Sequence, residues 1–288
     1  ALPKLVNPQT GRIHTDYTQV GVSTGRLSSA NPNLQNIPIR TLQGREIRRA
    51  FVAKPGWKLV AADYSQVELR VIAHIADDPG LKEAFARDED IHAATAATVL
   101  GIPLAEVTKD QRRIAKTVNF GLAYGQSAFG LARTTGLNQE EARSFINTYF
   151  ENYPGVKGYI EATKKMAADQ GYVETLLGRR RNFPGLHELK GPQRGRAERE
   201  AINMPIQGTS ADIMKLAMIQ LHQALQTQNF QARMLLQVHD EVVLEVPDAE
   251  VSQVVPLVRQ VMVDAFELSV PLKVDVEVGQ NWLEMEKY

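Results

Sequence analysis

The chain has 288 residues with 33 basic and 33 acidic side chains, 43% apolar and 23% charged residues, which fits an ordinary soluble globular protein and excludes a disordered or fibrous one. It contains no cysteine, so disulfides and thiolate metal sites are excluded, and no apolar run reaches the roughly 18 residues of a membrane span. The zero net charge hides an asymmetry: residues 179–199 carry seven Lys/Arg against Glu188 and Glu198, whereas residues 236–288 carry eleven acids against three bases. A polyanion partner for the basic segment is therefore open, beside the plainer alternative of two solvated faces.

The start, Ala1-Leu-Pro-Lys-Leu, lacks the basic segment and apolar core of a signal peptide, and it lacks a Met, as expected of a piece cut from a longer chain. Residues 1–50 are dense in turn formers, above all Ser23 to Pro38, and predict ordered loop. Trp57-Lys-Leu-Val-Ala-Ala-Asp63 predicts a buried strand, and Ser65-x-x-Glu68 predicts a capping box opening a helix. Residues 79–170 predict an almost wholly helical block. Thr108-x-x-Gln111 and Asn138-x-x-Glu141 mark two helix starts within it, and Gly125 marks a stop. A basic connection over 171–195 leads to a helix near 196–226, which Pro205 should kink. Strands at 233–238 and 242–246, joined through His239-Asp240-Glu241, predict a hairpin. A helix over 249–267 and a half-buried strand over 272–278 complete the chain. Strands, an inserted helical block, then helix and strands again predict an α+β domain that is discontinuous in sequence.

Asp63 and Asp240 lie 177 positions apart, each ending a predicted strand. Taken singly, each has an ordinary explanation, as the residue before a helix or within a turn. Together, carboxylates at two strand ends can share a pair of Mg²⁺ ions, which stabilise both the attacking and the leaving oxygen in phosphoryl transfer. Between them runs Arg112-Arg113-Ile-Ala-Lys116-Thr-Val-Asn-Phe120-Gly-Leu-Ala-Tyr124-Gly. Arg112, Lys116, Phe120 and Tyr124 recur every four residues, and Arg112 to Phe120 rises about 12 Å, a reach suited to a nucleoside triphosphate. A plain amphipathic helix with snorkelling cations is the competing explanation. Arg199, Asn203 and Gln207 also recur every four residues. They offer donors to the minor-groove acceptors present on every base pair, which tests pair shape without reading sequence.

Ala-Ala-Asp63-Tyr-Ser-Gln-Val-Glu-Leu-Arg, the Arg112–Gly125 string and Gln-Val-His-Asp240-Glu resemble, in this order, the A, B and C motifs of the family A DNA polymerases. The resemblance covers nearly the whole chain. It implies a palm with an antiparallel sheet over 1–77 and 196–288, helical fingers over 78–195, and a thumb largely absent. It implies a template-directed DNA polymerase that adds deoxynucleotides to a primer 3′-OH, uses two Mg²⁺ ions and releases pyrophosphate. Its partners would be primer-template DNA and dNTPs, with no membrane, as a cytoplasmic (nucleoid-associated if bacterial) monomer. By resemblance the Tyr64 carbonyl joins Asp63 and Asp240 as a metal ligand, with Glu241 beside the site without being an obligatory ligand. Arg112 and Lys116 meet the triphosphate, with Lys116 the candidate proton donor to pyrophosphate. Phe120 meets the sugar and base, Tyr124 lies near the templating position, and Gln66 and His92 also bind the dNTP. Glu68 excludes a 2′-OH, a task in competition with its place in the capping box. His92, by itself, could equally be a helix-surface histidine. Arg26, Asn33, Asn36, Arg199, Asn203, Gln207 and His239 contact DNA. The alternatives are a truncated, non-catalytic DNA-binding remnant and a two-metal nuclease, which would have no use for the Arg112–Tyr124 helix.

Overall fold

The computed structural model describes residues 2–39 and 41–288. In chain order its elements begin with β1 (Asp16–Thr18), β2 (Ser28–Ala30), α1 (Leu42–Arg49), β3 (Trp57–Tyr64), α2 (Val67–Ile75), α3 (Pro79–Ala86), α4 (Ile91–Leu100) and α5 (Lys109–Ala123). They continue with α6 (Ala128–Thr135), α7 (Gln139–Asn152), α8 (Pro154–Gln170), β4 (Tyr172–Glu174), β5 (Arg180–Asn182) and α9 (Gly191–Thr227). Last come β6 (Arg233–Val238), β7 (Glu241–Pro247), α10 (Val251–Val263), β8 (Val274–Gly279) and β9 (Met285–Lys287). The chain divides into two units, one of Ala1–Ser65, Ser210–Phe266 and Leu272–Tyr288, the other of Gln66–Thr209 and Glu267–Pro271. The fold is α+β, with antiparallel sheets.

The first unit is built on a five-stranded antiparallel sheet of order β6-β7-β3-β8-β9. β3 is a central strand, which is why its sequence is a continuous apolar run rather than an alternation. Val60, Ala62, Tyr64, Val242, Leu244, Val246, Val274 and Val276 are buried and by register share one face. α10 covers that face with Val254, Val255, Val258 and Met262, and the Tyr64 hydroxyl donates to the Met262 carbonyl at 2.6 Å. On the opposite face Leu59, Ala61 and Val243 pack with Leu34, Ile37, Ala53, Val238 and Trp282. That face also carries Asp63, at the end where the apolar layer gives way to acids.

The second unit is helical. Both capping boxes expected there are formed: Thr108 and Gln111 exchange hydrogen bonds at the start of α5, Asn138 and Glu141 at the start of α7. Gly125, at φ +68°, follows the C-cap of α5. Asp78 is fully buried and caps α3 through the Leu81 amide at 3.1 Å while accepting from the Gly155 amide of α8 at 2.9 Å. A Cβ on Gly155 would lie 2.6 Å from the Ala76 carbonyl and 2.9 Å from the Asp78 Cα. Both neighbours are backbone and cannot rotate away. Gly155→Ala is therefore expected to destabilise the chain by about 1–3 kcal/mol. Gly158→Ala, where nothing lies within 4 Å, should stabilise it by up to about 1 kcal/mol through helix propensity. Paired urea melts check the contrast, and equal effects would contradict the backbone clash.

Several local expectations are corrected. Residues 1–50 are not all loop: β1 and β2 form a hairpin, and α1 follows with Thr41 capping it through the Gly44 amide. The 171–195 connection holds the β4–β5 hairpin, and the helix after it begins at Gly191 rather than 196. α9 runs 37 residues with Pro205 inside it. Proline withholds an N–H from the carbonyl four residues earlier, and the Tyr159 hydroxyl donates at 2.6 Å to the next carbonyl along, that of Ile202. The Ser65–Glu68 capping box does not open α2. The helix begins at Val67 after Gln66, whose φ of 54° is left-handed and which makes no side-chain cap. The chain turns out of the sheet there, and Ser65 instead hydrogen-bonds Asp275.

Candidate active site

β3 brings Asp63 to the end of the central strand. Its register partners are Glu241 on β7 and Asp275 on β8, while Glu277 pairs with Ala61. Directly opposed residues of antiparallel strands share a face, so these acids project from the same side of the sheet as Asp63. Asp240 lies in the two-residue turn between β6 and β7, where His239 takes the left-handed φ of 56° that a tight hairpin requires. The Asp240 carbonyl accepts the Tyr64 amide at 3.0 Å, which ties the turn to the end of β3. Two aspartates remote in sequence are thus adjacent in the sheet.

The electrostatics follow from this crowding. Burial, then Glu241, Asp240, Asp275 and Glu277, push the Asp63 carboxyl up to about 7. Asp63 keeps solvent access, so water screens part of this shift. Three of these four neighbouring acids have their own compensation. Burial raises Asp240 and Arg26 opposes it, its guanidinium 3.8 Å from the carboxylate. Burial also raises Glu241, opposed by Arg48 and by the Trp282 indole N–H, which donates at 3.2 Å. Lys287, 2.9 Å away, holds Asp275 below its ordinary range. Asp63 stands at the centre of this acidic group, its carboxyl raised first by burial and then by its neighbours.

Among the described residues no three His, Cys, Asp or Glu side chains form a metal-holding group. The donor set here is smaller but fits a hard cation: two carboxylates and backbone carbonyls, with water and substrate oxygens filling the remaining positions. The crowding of acids around Asp63 is what such a cation would relieve.

The second unit presents two polar stripes. On α5, Ala115, Val118, Asn119, Leu122 and Ala123 are buried, while Lys116 is exposed and Arg112, Phe120 and Tyr124 are partly exposed. The spacing thus sorts cations and rings onto the accessible side. The Phe120 ring centroid lies 6.5 Å from that of Tyr124 and 5.7 Å from that of His92. Arg112 pairs with Asp90 at 2.7 Å. Burial raises Asp90, but hydrogen bonds from the Ala93 and His92 amides and from Arg112 outweigh it and hold the carboxyl low. His92 is not a helix-surface residue: it is 2% exposed, and burial lowers its ring to about 4. On α9, Arg199 is exposed and Asn203 and Gln207 are partly exposed, between buried Ala201, Ile202, Met204 and Ile206. The Asn203 Oδ1 is buried without a hydrogen-bond partner among the described residues. Glu68 and Gln66 are partly exposed at the start of α2.

In the first unit Asn33, Asn36 and His239 are exposed. Arg26 lines a small cleft with Gln35, Lys215, Gln237, His239 and Asp240. The basic segment is less free than its composition suggests, since Arg180, Arg181, Arg194 and Arg196 pair with Glu174, Glu200, Glu198 and Glu200 respectively. Motif and spacing in the sequence do not single out Asp275, Glu277 or Trp282. The signal for the two acids was present, as an acidic alternation along the last predicted strand.

The DNA polymerase family A profile matches residues 1–284. DNA polymerase I of Pseudomonas aeruginosa is 57% identical over 281 residues, covering 98% of this chain and 31% of that protein. DNA polymerase I of Chloroflexus aurantiacus is 56% identical over 286 residues, covering 99% of this chain and 30% of that protein. A solved structure, the POL domain of Pol1 from M. smegmatis in complex with DNA primer-template and dNTP, superposes with a TM-score of 0.94 at 46% identity, over 98% of this chain and 50% of that one. The chain spans about a third of the length of these curated relatives. On the match across nearly its whole length, the chain belongs to DNA polymerase family A.

Proposed function

We propose that this chain is the palm (1–77 and 196–288) and fingers (78–195) of a template-directed DNA polymerase, acting as a monomer on primer-template DNA with dNTPs as substrates. The primer 3′-oxygen attacks the α-phosphate of a dNTP, the α–β phosphoanhydride bond breaks, and pyrophosphate leaves. The observation that carries this reading is the convergence of Asp63, Asp240, Glu241 and Asp275 at one end of the central strand. Asp63, Asp240 and the Tyr64 carbonyl are the groups we assign to two Mg²⁺ ions, with Glu241 held aside by Trp282. Bound there, the ions supply activation of the 3′-hydroxyl and neutralisation of the triphosphate.

The chain's own residues do the rest. Arg112 and Lys116 bind the triphosphate, Arg112 exchanging its Asp90 partner for phosphate, and Lys116 gives a proton to the leaving pyrophosphate. His92 and Gln66 add dNTP contacts. Phe120 bears on the sugar and base and Tyr124 on the templating position. Arg199, Asn203 and Gln207 read minor-groove acceptors. Arg26, Asn33, Asn36 and His239 hold the primer terminus and duplex. A nuclease would have no use for the stripe of cations and rings on α5.

Glu68 is the second residue of α2 and partly exposed. As the group that excludes a 2′-OH, it should respond sharply to truncation. Glu68→Ala is expected to raise rNTP use relative to dNTP use by about tenfold or more. Single-nucleotide primer extension in Mg²⁺ measures this ratio, and an unchanged ratio would remove Glu68 from the sugar site. Failure of the unmodified chain to extend a primer would contradict the polymerase reading as a whole.

A further inference from the structure

His92 and Asn119 stand 27 positions apart, on α4 and α5, and both are buried, at 2% and 1% exposure. The Asn119 Nδ2 lies 3.2 Å from the His92 Nδ1, 3.0 Å from the Thr95 hydroxyl and 3.5 Å from the Ile91 carbonyl. The Thr95 hydroxyl is 2.7 Å from the Ile91 carbonyl and 3.1 Å from the Asn119 Oδ1. A carbonyl oxygen only accepts, so the amide nitrogen and not its oxygen belongs beside Ile91. That orientation makes Asn119 the donor to the His92 Nδ1. A ring nitrogen that accepts carries no proton, and in a neutral imidazole the proton is then on the other nitrogen.

We propose that Asn119 is a positioning residue that locks His92 in the tautomer protonated at Nε2, so that the buried ring presents a neutral N–H donor to an anionic oxygen of the bound nucleotide.

The surroundings favour this form. Burial is the largest influence on His92 and disfavours its cation. Lys116 and Arg112 on α5 act in the same direction, and Asp90, at the start of its own helix, opposes them. A neutral ring can lie near Arg112 and Lys116 without repelling them, where an imidazolium could not. The Phe120 ring, 5.7 Å away and tilted by 50°, limits rotation of the imidazole. Among the described residues Nε2 has no hydrogen-bond partner. Because Asn119 sits within the same turn of α5 as Lys116 and Phe120, one helix would fix the positions of the cation and the ring as well as the proton on His92. The role in nucleotide binding rests on the polymerase reading above, whereas the tautomer itself does not.

Long-range ¹H–¹⁵N correlation spectra of the full chain test this. The expected result is that the His92 signals, assigned by their loss in His92→Gln, report Nε2–H with unprotonated Nδ1 from pH 8 to pH 6. In Asn119→Asp the new carboxylate can only accept, so the proton should move to Nδ1. The dNTP KM should then rise about tenfold with kcat changed much less. In the His92→Gln background the same substitution should leave KM unchanged, which a merely structural role for Asn119 would not produce. A wild-type ring protonated at Nδ1, or charged at pH 7, overturns the inference whether or not any variant folds. If the tautomer is as stated but KM does not respond, the link to nucleotide binding is overturned. Absence of primer extension by the unmodified chain would count against the polymerase reading instead.

Discussion

Asp240→Ala is expected to reduce primer extension on the order of a thousandfold while leaving the fold in place. Metal-assisted phosphoryl transfer draws several kcal/mol of transition-state stabilisation from the ion's charge, and each 1.4 kcal/mol or so is a factor of ten in rate. Removing one of the two carboxylates that would hold the ions removes most of that. Structure should suffer little. The Asp240 side chain is 30% exposed and its ion pair to Arg26 is a long one at 3.8 Å, of a kind that contributes roughly 0–1 kcal/mol. The backbone bond from the Tyr64 amide to the Asp240 carbonyl survives the substitution. Steady-state extension of a labelled primer, beside a urea melt, checks both halves. Undiminished extension by a folded variant would refute the assignment of Asp240.

Asp63→Asn is expected to be equally inactive, yet more stable than the parent without metal at pH 8. The folded carboxyl titrates at about 7 against 3.8 for the ordinary group. Between those values the folded state holds a proton that the unfolded chain has released. Stability from this group is therefore present at low pH and lost as the pH rises from about 4 to about 7. The full shift would correspond to several kcal/mol, but Asp63 keeps solvent access and screening reduces it to about 1–2 kcal/mol. Asparagine cannot ionise and avoids the loss. The variant's Tm advantage should be small at pH 5 and reach a few degrees at pH 8. Millimolar Mg²⁺ should raise the parent's Tm and not the variant's. Thermal melts across pH, with and without Mg²⁺, read this directly, and a variant less stable than the parent at pH 8 would mean that the charge at Asp63 is already compensated within the chain.

The parts legible in the sequence were those set by local pattern. The apolar run ending in Asp63 is a central strand because only a strand buried on both faces dispenses with alternation. The starts of α5 and α7 were legible because a capping box is closed within four residues. The same pattern misled at Ser65. There the exit of the chain from the sheet puts Gln66 in a left-handed conformation and shifts the helix start by two residues, so tertiary geometry overrode the local signal. β1, β2, β4, β5 and β9 have three residues each, too few to show an alternation. α1 hides behind a glycine at its third position, although Thr41 was a readable cap.

At the candidate site the residue types were legible and their environment was not. The sequence pointed to Asp63 and Asp240, but nothing local says that Glu241 and Asp275 flank Asp63 on both neighbouring strands, since register is a property of the sheet. His92 could be read as a surface histidine because α4 is almost all small and apolar and shows no polar face. Its burial against Asn119 depends on how α4 and α5 pack.

The most direct test of the central claim, that Asp63 and Asp240 jointly hold a divalent cation, is a Mn²⁺ titration of the chain followed by electron paramagnetic resonance at pH 8 and pH 6. The expected result is millimolar or tighter binding at pH 8, weaker binding at pH 6 as Asp63 takes up a proton, and loss of that binding in Asp63→Asn and in Asp240→Ala alike. Binding of equal strength in the parent and in both folded variants would contradict it.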